Sequence, residues 1–205
     1  MQIIQRLFAV LILFSFSVVV SASSVNNFRS TKSFSLGMRS TVSMFSDDGV
    51  GMGTGGQFRI QSNQRLNTDW FADYILINQA NQVKSEYIHI GWSVLYYPLK
   101  APTKAYTVQP FLLAGHCFDY NQKTLLANTS INKHRWGAAP QMGMGFHFWL
   151  TDRADITWIT QYMVHLTKEI ELVEASNPYF ELASSKAFEG HWLNTISVNY
   201  KLYAR

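Results

Sequence analysis

Residues 136–150 read WGAAPQMGMGFHFWL, and the alternation in this stretch decides the fold. Nearly every second position is apolar, and small or polar side chains stand between. The apolar set is Ala138, Met142, Met144, Phe146, Phe148 and Leu150, and the opposing set is Gly137, Gln141, Gly143, Gly145 and His147. Successive side chains of a strand point to opposite faces, so this period of two predicts a β-strand with one apolar and one polar face.

The same period recurs in seven further segments. They lie near 34–45, 51–61, 68–78, 86–97, 106–118, 154–166 and 191–203. In segment 106–118 both faces are largely apolar, so the pattern does not decide which one points inward. Helical spacing fits none of these segments as well as alternation does. The chain is therefore predicted to be all-β, with eight antiparallel strands in up-and-down order.

The composition suits strands that have two different faces. Charged residues make up 15% of the 205 residues and aromatic residues another 15%, whereas ordinary soluble domains are about one quarter charged. The formal net charge is +4, and Lys and Arg are scattered without a basic run. Nucleic acid is therefore not an expected partner. The single cysteine, Cys117, permits no intramolecular disulfide.

Residues 1–22 have the features of a signal peptide. Arg6 precedes an apolar run over 7–20, and small residues at Val20, Ser21 and Ala22 predict cleavage before Ser23. The run is too short for a transmembrane helix, which needs about 20 residues. We therefore expect a cleaved leader at 1–22, an N-terminal extension at 23–33 and a barrel over 34–205.

When the connections between predicted strands are numbered along the chain, odd-numbered and even-numbered connections differ in length. The odd-numbered ones cover 46–50, 79–85, 119–135 and 167–190, and the even-numbered ones cover 62–67, 98–105 and 151–153. The two longest are odd-numbered and the shortest is even-numbered. Outer-membrane barrels place short turns on the periplasmic side and long loops outside the cell.

The faces of the strands predict what each side of the sheet contacts. Alternating strands survive in hydrocarbon only as a closed barrel, because every backbone polar group must be paired there. We expect the apolar faces to meet lipid and the ionisable residues to fill the interior, with Arg39 and Arg59 pairing with Asp73 and Glu86. The expected interior polar residues are Arg39, Arg59, Asp73, Glu86, His89, Gln141, His147, Gln161 and Lys201.

Three stretches and the last strand resemble outer-membrane β-barrels of the OmpA, OmpX and OmpW kind. The stretches are 51–60 (GMGTGGQFRI), 109–115 (QPFLLAG) and 136–146 (WGAAPQMGMGF), and the closing strand is 196–203 (ISVNYKLY). The resemblance implies residence in the outer membrane of a Gram-negative bacterium. It also implies contact with lipopolysaccharide, and assembly through the C-terminal strand. Ala204 and Arg205 follow Tyr203, although such strands normally end on an aromatic residue.

For function, the resemblance favours a non-enzymatic barrel with a structural role in the envelope, or with surface contacts through its long loops. One alternative is a lipid A deacylase-like enzyme, in which His165, Thr167 and Glu169 would act as base, nucleophile and orienting carboxylate. A second is an OmpW-like conduit for small hydrophobic molecules, and a third is a soluble periplasmic barrel. No metal site and no cofactor are expected, because the histidines show no ligand spacing.

Overall fold

A computed structural model shows a closed, all-antiparallel barrel of eight strands and a separate two-stranded hairpin. The structure describes residues 32–45, 49–79, 82–167, 170–174, 180–184 and 190–204. The leader predicted at 1–22 and nearly all of the predicted extension at 23–33 lie outside these ranges. Within the described residues there is no helix long and apolar enough to cross a membrane.

Ten strands make up the two sheets. They are β1 (Ser33–Phe45), β2 (Gly49–Gln61), β3 (Leu66–Gln79), β4 (Val83–Tyr96), β5 (Thr107–Leu125), β6 (Asn132–Trp149), β7 (Ala154–Val164), β8 (Ile170–Glu174), β9 (Phe180–Ser184) and β10 (Gly190–Ala204). The barrel order is β1-β10-β7-β6-β5-β4-β3-β2, and β8 pairs only with β9. The eight predicted strands are therefore confirmed, and β8–β9 lies within the connection predicted at 167–190.

The two ends of the barrel differ in their connections. The end that carries Ser33 and Ala204, here the terminus end, has connections at 62–65, 97–106 and 150–153. Two of these are tight turns held by side chains: Asn63 Oδ1 accepts the amides of Arg65 and Leu66 at 2.8 and 2.9 Å. Thr151 Oγ1 does the same for Arg153 and Ala154 at 3.1 and 2.9 Å. Short polar side chains favour turns through such bonds.

The other end, here the loop end, corrects the loop predicted at 119–135. β5 and β6 continue as paired strands from Asp119↔Gly137 to Thr124↔Asn132, so only 126–131 connects them. The even-numbered connection at 97–106 is longer than this one, so the lengths do not sort by parity as expected. At 19 and 18 residues, β5 and β6 are the longest strands. At the loop end β6 runs past its last pair with β7, Gln141↔Met163, whereas β5 stays paired with β4 as far as Leu125↔Val83.

The outer surface of the barrel is apolar and rich in aromatic residues. Exposed side chains there include Met38, Met52, Ile90, Leu112, Met142, Met144, Ile196 and Val198. On β5, Val108 and Leu112 point outward whereas Phe111 and Leu113 are buried, which decides the face that the sequence left open. An aromatic row crosses β1 to β4 near the terminus end, with ring centroids 5.9, 5.9 and 6.3 Å apart, and its members are Phe34, Phe58, Trp70 and Trp92.

Close backbone approach explains one inward-facing glycine on β2. A Cβ at Gly55 would meet the Ala72 carbonyl oxygen and the Asp73 side chain at less than any real contact distance, whereas a Cβ at Gly56 would meet only the Gly37 carbonyl oxygen at 3.9 Å. Gly55 therefore leaves the space that Asp73 occupies inside the barrel.

We predict that Gly55→Ala destabilises the barrel by about 1–3 kcal/mol, because overpacking displaces backbone and side chains. The neighbouring Gly56→Ala is the matched control, and we expect it to change stability little. Urea unfolding in detergent micelles, followed by tryptophan fluorescence, measures both. Equal midpoints for the two variants would contradict the packing described here.

Candidate functional site

The ionisable residues of the strands lie mostly inside the barrel, where they form three groups along its axis. Eight of the nine side chains expected in the interior are buried there, and they are Arg39, Arg59, Asp73, His89, Gln141, His147, Gln161 and Lys201. The interior is not only polar. Two apolar clusters share it, one around Phe71, Ile75 and Tyr87 and the other around Tyr97, Phe111 and Ile159.

Glu86 is the exception, and the expectation that it lies inside and pairs with an arginine was wrong. It shares the even-numbered, outward face of β4 with Ile88 and Ile90. Its carboxylate accepts hydrogen bonds from Tyr74 Oη at 2.6 Å and Lys84 Nζ at 2.7 Å. Glu86 lies near the loop end of β4, where the outer surface becomes polar, and period two alone places it outside.

The central group is an ion pair between β1 and β3. Arg39 Nε lies 2.9 Å from Asp73 Oδ1, with both side chains almost fully buried. The Arg39 guanidinium also lies 4.5 Å from the centre of the Phe71 ring and donates to Gln57 and Thr195 at 3.4 and 3.3 Å. Because the pair joins opposite charges in the interior, removing either partner leaves an uncompensated buried charge.

The second group, the Arg59 cluster, fills the terminus end. Arg59 Nε donates to Asp69 at 2.7 Å, and Arg59 Nη1 lies 3.4 Å from Asp155. His147 joins this cluster through Thr157 Oγ1 at 2.6 Å and Tyr97 Oη at 2.8 Å. These bonds link strands from around the barrel, since the residues come from β2, β3, β6 and β7 and from the end of β4.

The third group, here the histidine cluster, lies at the loop end and consists of His89, Asp119, Arg135, His165 and His191. Asp119 Oδ2 is 2.6 Å from His165 Nδ1 and 2.9 Å from Arg135 Nη1, and Asp119 Oδ1 is 3.2 Å from His89 Nε2. His165 Nε2 lies 2.9 Å from His191 Nδ1. The three imidazoles and the carboxylate are 0–1% exposed.

The candidate catalytic residues are only partly brought together. The carboxylate on His165 is Asp119, and Glu169 lies outside the described residues. Thr167 Oγ1 accepts a hydrogen bond from Arg135 Nη1 at 2.5 Å rather than one from His165. His165 is fully buried inside the barrel while Leu166 points outward. An acyl chain on the outer surface of the barrel would therefore not reach the imidazole.

The histidines do not converge on a metal site in the part of the chain that the structure describes. No group of three or more His, Cys, Asp or Glu side chains there is arranged to hold a metal ion. His89 and His191 belong to the histidine cluster, His147 lies in the Arg59 cluster, and His116 faces outward against Phe118.

Sequence reasoning missed Asp119 and Arg135 because their segment was assigned to a loop. Asp119 has the same parity as Gln109, Phe111 and Cys117 on β5, and all of these are buried. The alternation that places every second residue of β5 inside the barrel continues through Asp119. This alternation is the sequence feature that indicates its inward position. Beyond Phe118 both faces are polar, so the contrast that marks a strand is lost.

Comparison with known proteins identifies the fold. The solved barrel of Neisserial surface protein A matches with a TM-score of 0.57 and 13% identity, over 82% of this chain and 97% of that one. A major outer membrane protein from Thermus thermophilus matches at 0.56 and 8%, over 82% and 99%. Outer membrane protein OprG from Pseudomonas aeruginosa matches at 0.53 and 15%, over 86% and 98%.

The chain has the fold of an eight-stranded outer-membrane barrel. No protein-family model and no curated protein matches it. At these identities the outer-membrane barrel fold is what is shared, and any activity must be argued from the chain's own residues.

We predict that Asp73→Leu destabilises this outer-membrane barrel fold by about 3–5 kcal/mol, because it leaves the Arg39 guanidinium buried without its carboxylate. The double variant Arg39→Met with Asp73→Leu should recover most of that loss. Unfolding in urea, read from electrophoretic mobility without boiling, measures the series. The series includes Arg39→Met alone. If the double variant loses as much unfolding free energy as the two single variants together, the two side chains are not coupled.

Proposed function

We propose that the protein is a non-enzymatic resident of the bacterial outer membrane, exported by a cleaved signal peptide, that supports the envelope and makes surface contacts at its loop end. The separation of faces carries this proposal. Apolar side chains cover the outer wall of the barrel. Within the height of this apolar band, the charged side chains of the strands are buried inside the barrel. A charge facing lipid near the midplane costs roughly 2–4 kcal/mol, so this arrangement suits a hydrocarbon environment.

The distribution of outward residues along the strands supports a membrane boundary near the loop end. Beyond the apolar band, the wall formed by β3 to β6 carries Asn78, Glu86, Gln122 and His134. Tyr120 and Trp136 pack together at this level, with ring centroids 4.8 Å apart. Aromatic residues favour membrane interfaces, and the aromatic row of β1 to β4 supplies a counterpart near the terminus end.

The tip of the β5–β6 hairpin is the surface best suited to contacts outside the cell. All nine residues 126–134 are exposed. The hairpin carries Lys133 and His134 and no carboxylate between Asp119 and Asp152. The phosphate groups of lipopolysaccharide are a suitable partner for these basic side chains.

The assembly machinery is a second proposed partner. We propose that it recognises the chain through β10.

A packed interior favours this role over transport. Side chains from opposite walls meet in the Arg59 cluster, and Gln141 Nε2 reaches Ser93 Oγ at 2.8 Å while its Oε1 accepts from Gln161 at 2.8 Å. An eight-stranded barrel has an interior just wide enough for side chains to fill.

The assignment of the outer face predicts a position-dependent cost for a charge. Met142→Arg places a charge at a 68% exposed outward site, and we expect a loss of about 2–4 kcal/mol in lipid. Leu126→Arg, at a 43% exposed site on the hairpin tip, is the control, and its cost should be near zero. Folding titrations in phospholipid vesicles measure both. A neutral Met142→Arg would show that this face meets water.

The location and orientation predict which residues are accessible on intact cells. A cysteine replacing exposed Thr129 should react with a membrane-impermeant maleimide, whereas one replacing exposed Lys100 at the terminus end should react only after the outer membrane is permeabilised. The unaltered chain supplies the background, because its one cysteine, Cys117, is buried. If the Lys100 variant were labelled on intact cells and the Thr129 variant were not, the proposed orientation would be reversed. If the protein were recovered from cells without detergent, the proposed membrane location would be excluded.

A further inference from the structure

The histidine cluster joins the loop-end termini of two barrel strands. His165 directly follows β7, and His191 is the second residue of β10. Their hydrogen bond, 2.9 Å between Nε2 and Nδ1, needs a donor N–H on one ring and a bare nitrogen on the other. A protonated imidazole has no bare nitrogen. The bond therefore survives one added proton and is lost when both rings are protonated.

Among the described residues, the charges of the cluster leave added protons uncompensated. The described groups that face His191 are His89 from β4, Asp119 from β5, Arg135 from β6 and His165, with the phenol of Tyr87 beside His89. Asp119 supplies one negative charge, and Arg135, 2.9 Å away, already neutralises it. Each further protonated imidazole adds a buried positive charge that no other carboxylate of the described residues balances.

The imidazole rings are also close enough to repel strongly once charged. The centroids of His165 and His191 are 4.8 Å apart, those of His89 and His191 are 5.8 Å apart, and those of His89 and His165 are 6.3 Å apart. His89 Nδ1 and His191 Nε2 are buried and have no hydrogen-bond partner among the described residues. A proton placed on His89 Nδ1 would thus meet no acceptor in the closed arrangement.

We propose that the histidine cluster is a pH-sensitive latch that holds β7 and β10 together at the loop end and releases them when the medium becomes acidic. The open state takes up protons that the closed state excludes. Closure is therefore favoured as pH rises and lost as pH falls. The inference goes beyond the proposed function and holds in detergent as well as in a membrane.

The Arg59 cluster at the other end carries different charges. There, two carboxylates, Asp69 and Asp155, face one guanidinium, whereas the histidine cluster pairs one carboxylate, Asp119, with Arg135. The proposal concerns the loop end alone.

Amide hydrogen exchange of the detergent-solubilised protein tests the latch. The reporters are the amides of 162–164 and 190–192, where β7 and β10 pair, and the rates are corrected for the intrinsic effect of pH. The range runs from about pH 8 to about pH 4, across the ordinary histidine pKa of about 6.5. Each proton taken up on opening should raise the opening equilibrium about tenfold per pH unit.

His191→Gln removes the titratable ring but keeps an amide N–H that can donate to His165 Nε2, so its reporters should stay protected in acid. His116→Gln, at the outward histidine of β5, should open like the unaltered protein. The latch is refuted if the unaltered protein shows no slope with pH, or if His191→Gln keeps that slope. Should His191→Gln not fold, ¹⁵N shifts of the imidazoles decide, because opening while His191 stays neutral contradicts the proposal.

Discussion

The pairing of β1 with β10 closes the sheet, and most other features follow from that closure. A closed sheet has an inside and an outside, so the alternation of every strand becomes a division between two environments. Thirteen residues of β1 are paired on both sides, with β2 and with β10. No barrel strand is left with a fully open edge, and ionisable side chains can be placed where only protein surrounds them.

The interior then has to satisfy these charges, and it does so differently along the axis. The Arg39–Asp73 pair occupies the middle, while the Arg59 cluster and the histidine cluster occupy the ends. Inward glycines leave space beside several of these groups, as Gly55 does for Asp73. The interior is thus a set of cross-barrel contacts that ties distant strands together, in addition to the backbone ladder.

The sequence was sufficient for the strands that cross the apolar band, because burial on one side and exposure on the other enforce a visible period of two. It failed where that contrast ends. The loop-end parts of β5 and β6 carry polar residues on both faces, such as Asn121 and Gln122, so their sequence does not differ from that of a loop. For Glu86, charge indicates the interior whereas its even-numbered position indicates the outer face, and the structure follows the position.

Contacts between distant strands were beyond the sequence for a different reason. The period of two indicates that Asp73, Asp119 and His191 point inward. Their positions along the barrel axis depend on the stagger between neighbouring strands, which no local sequence pattern contains. The two arginines are expected to pair with Asp73 and Glu86, and in the structure Arg39 pairs with Asp73 whereas Arg59 pairs with Asp69 and Asp155. The meeting of three histidines around Asp119 likewise emerges only from the register.

The closing seam also constrains how the molecule is made. Ser33 pairs with Ala204, so the first and last strands of the barrel along the chain are each other's partners. Contacts of such long sequence separation form slowly, and until they form, the hydrogen-bonding edges of β1 and β10 stay open to wrong partners. The seven preceding barrel strands must therefore stay unaggregated until β10 is made.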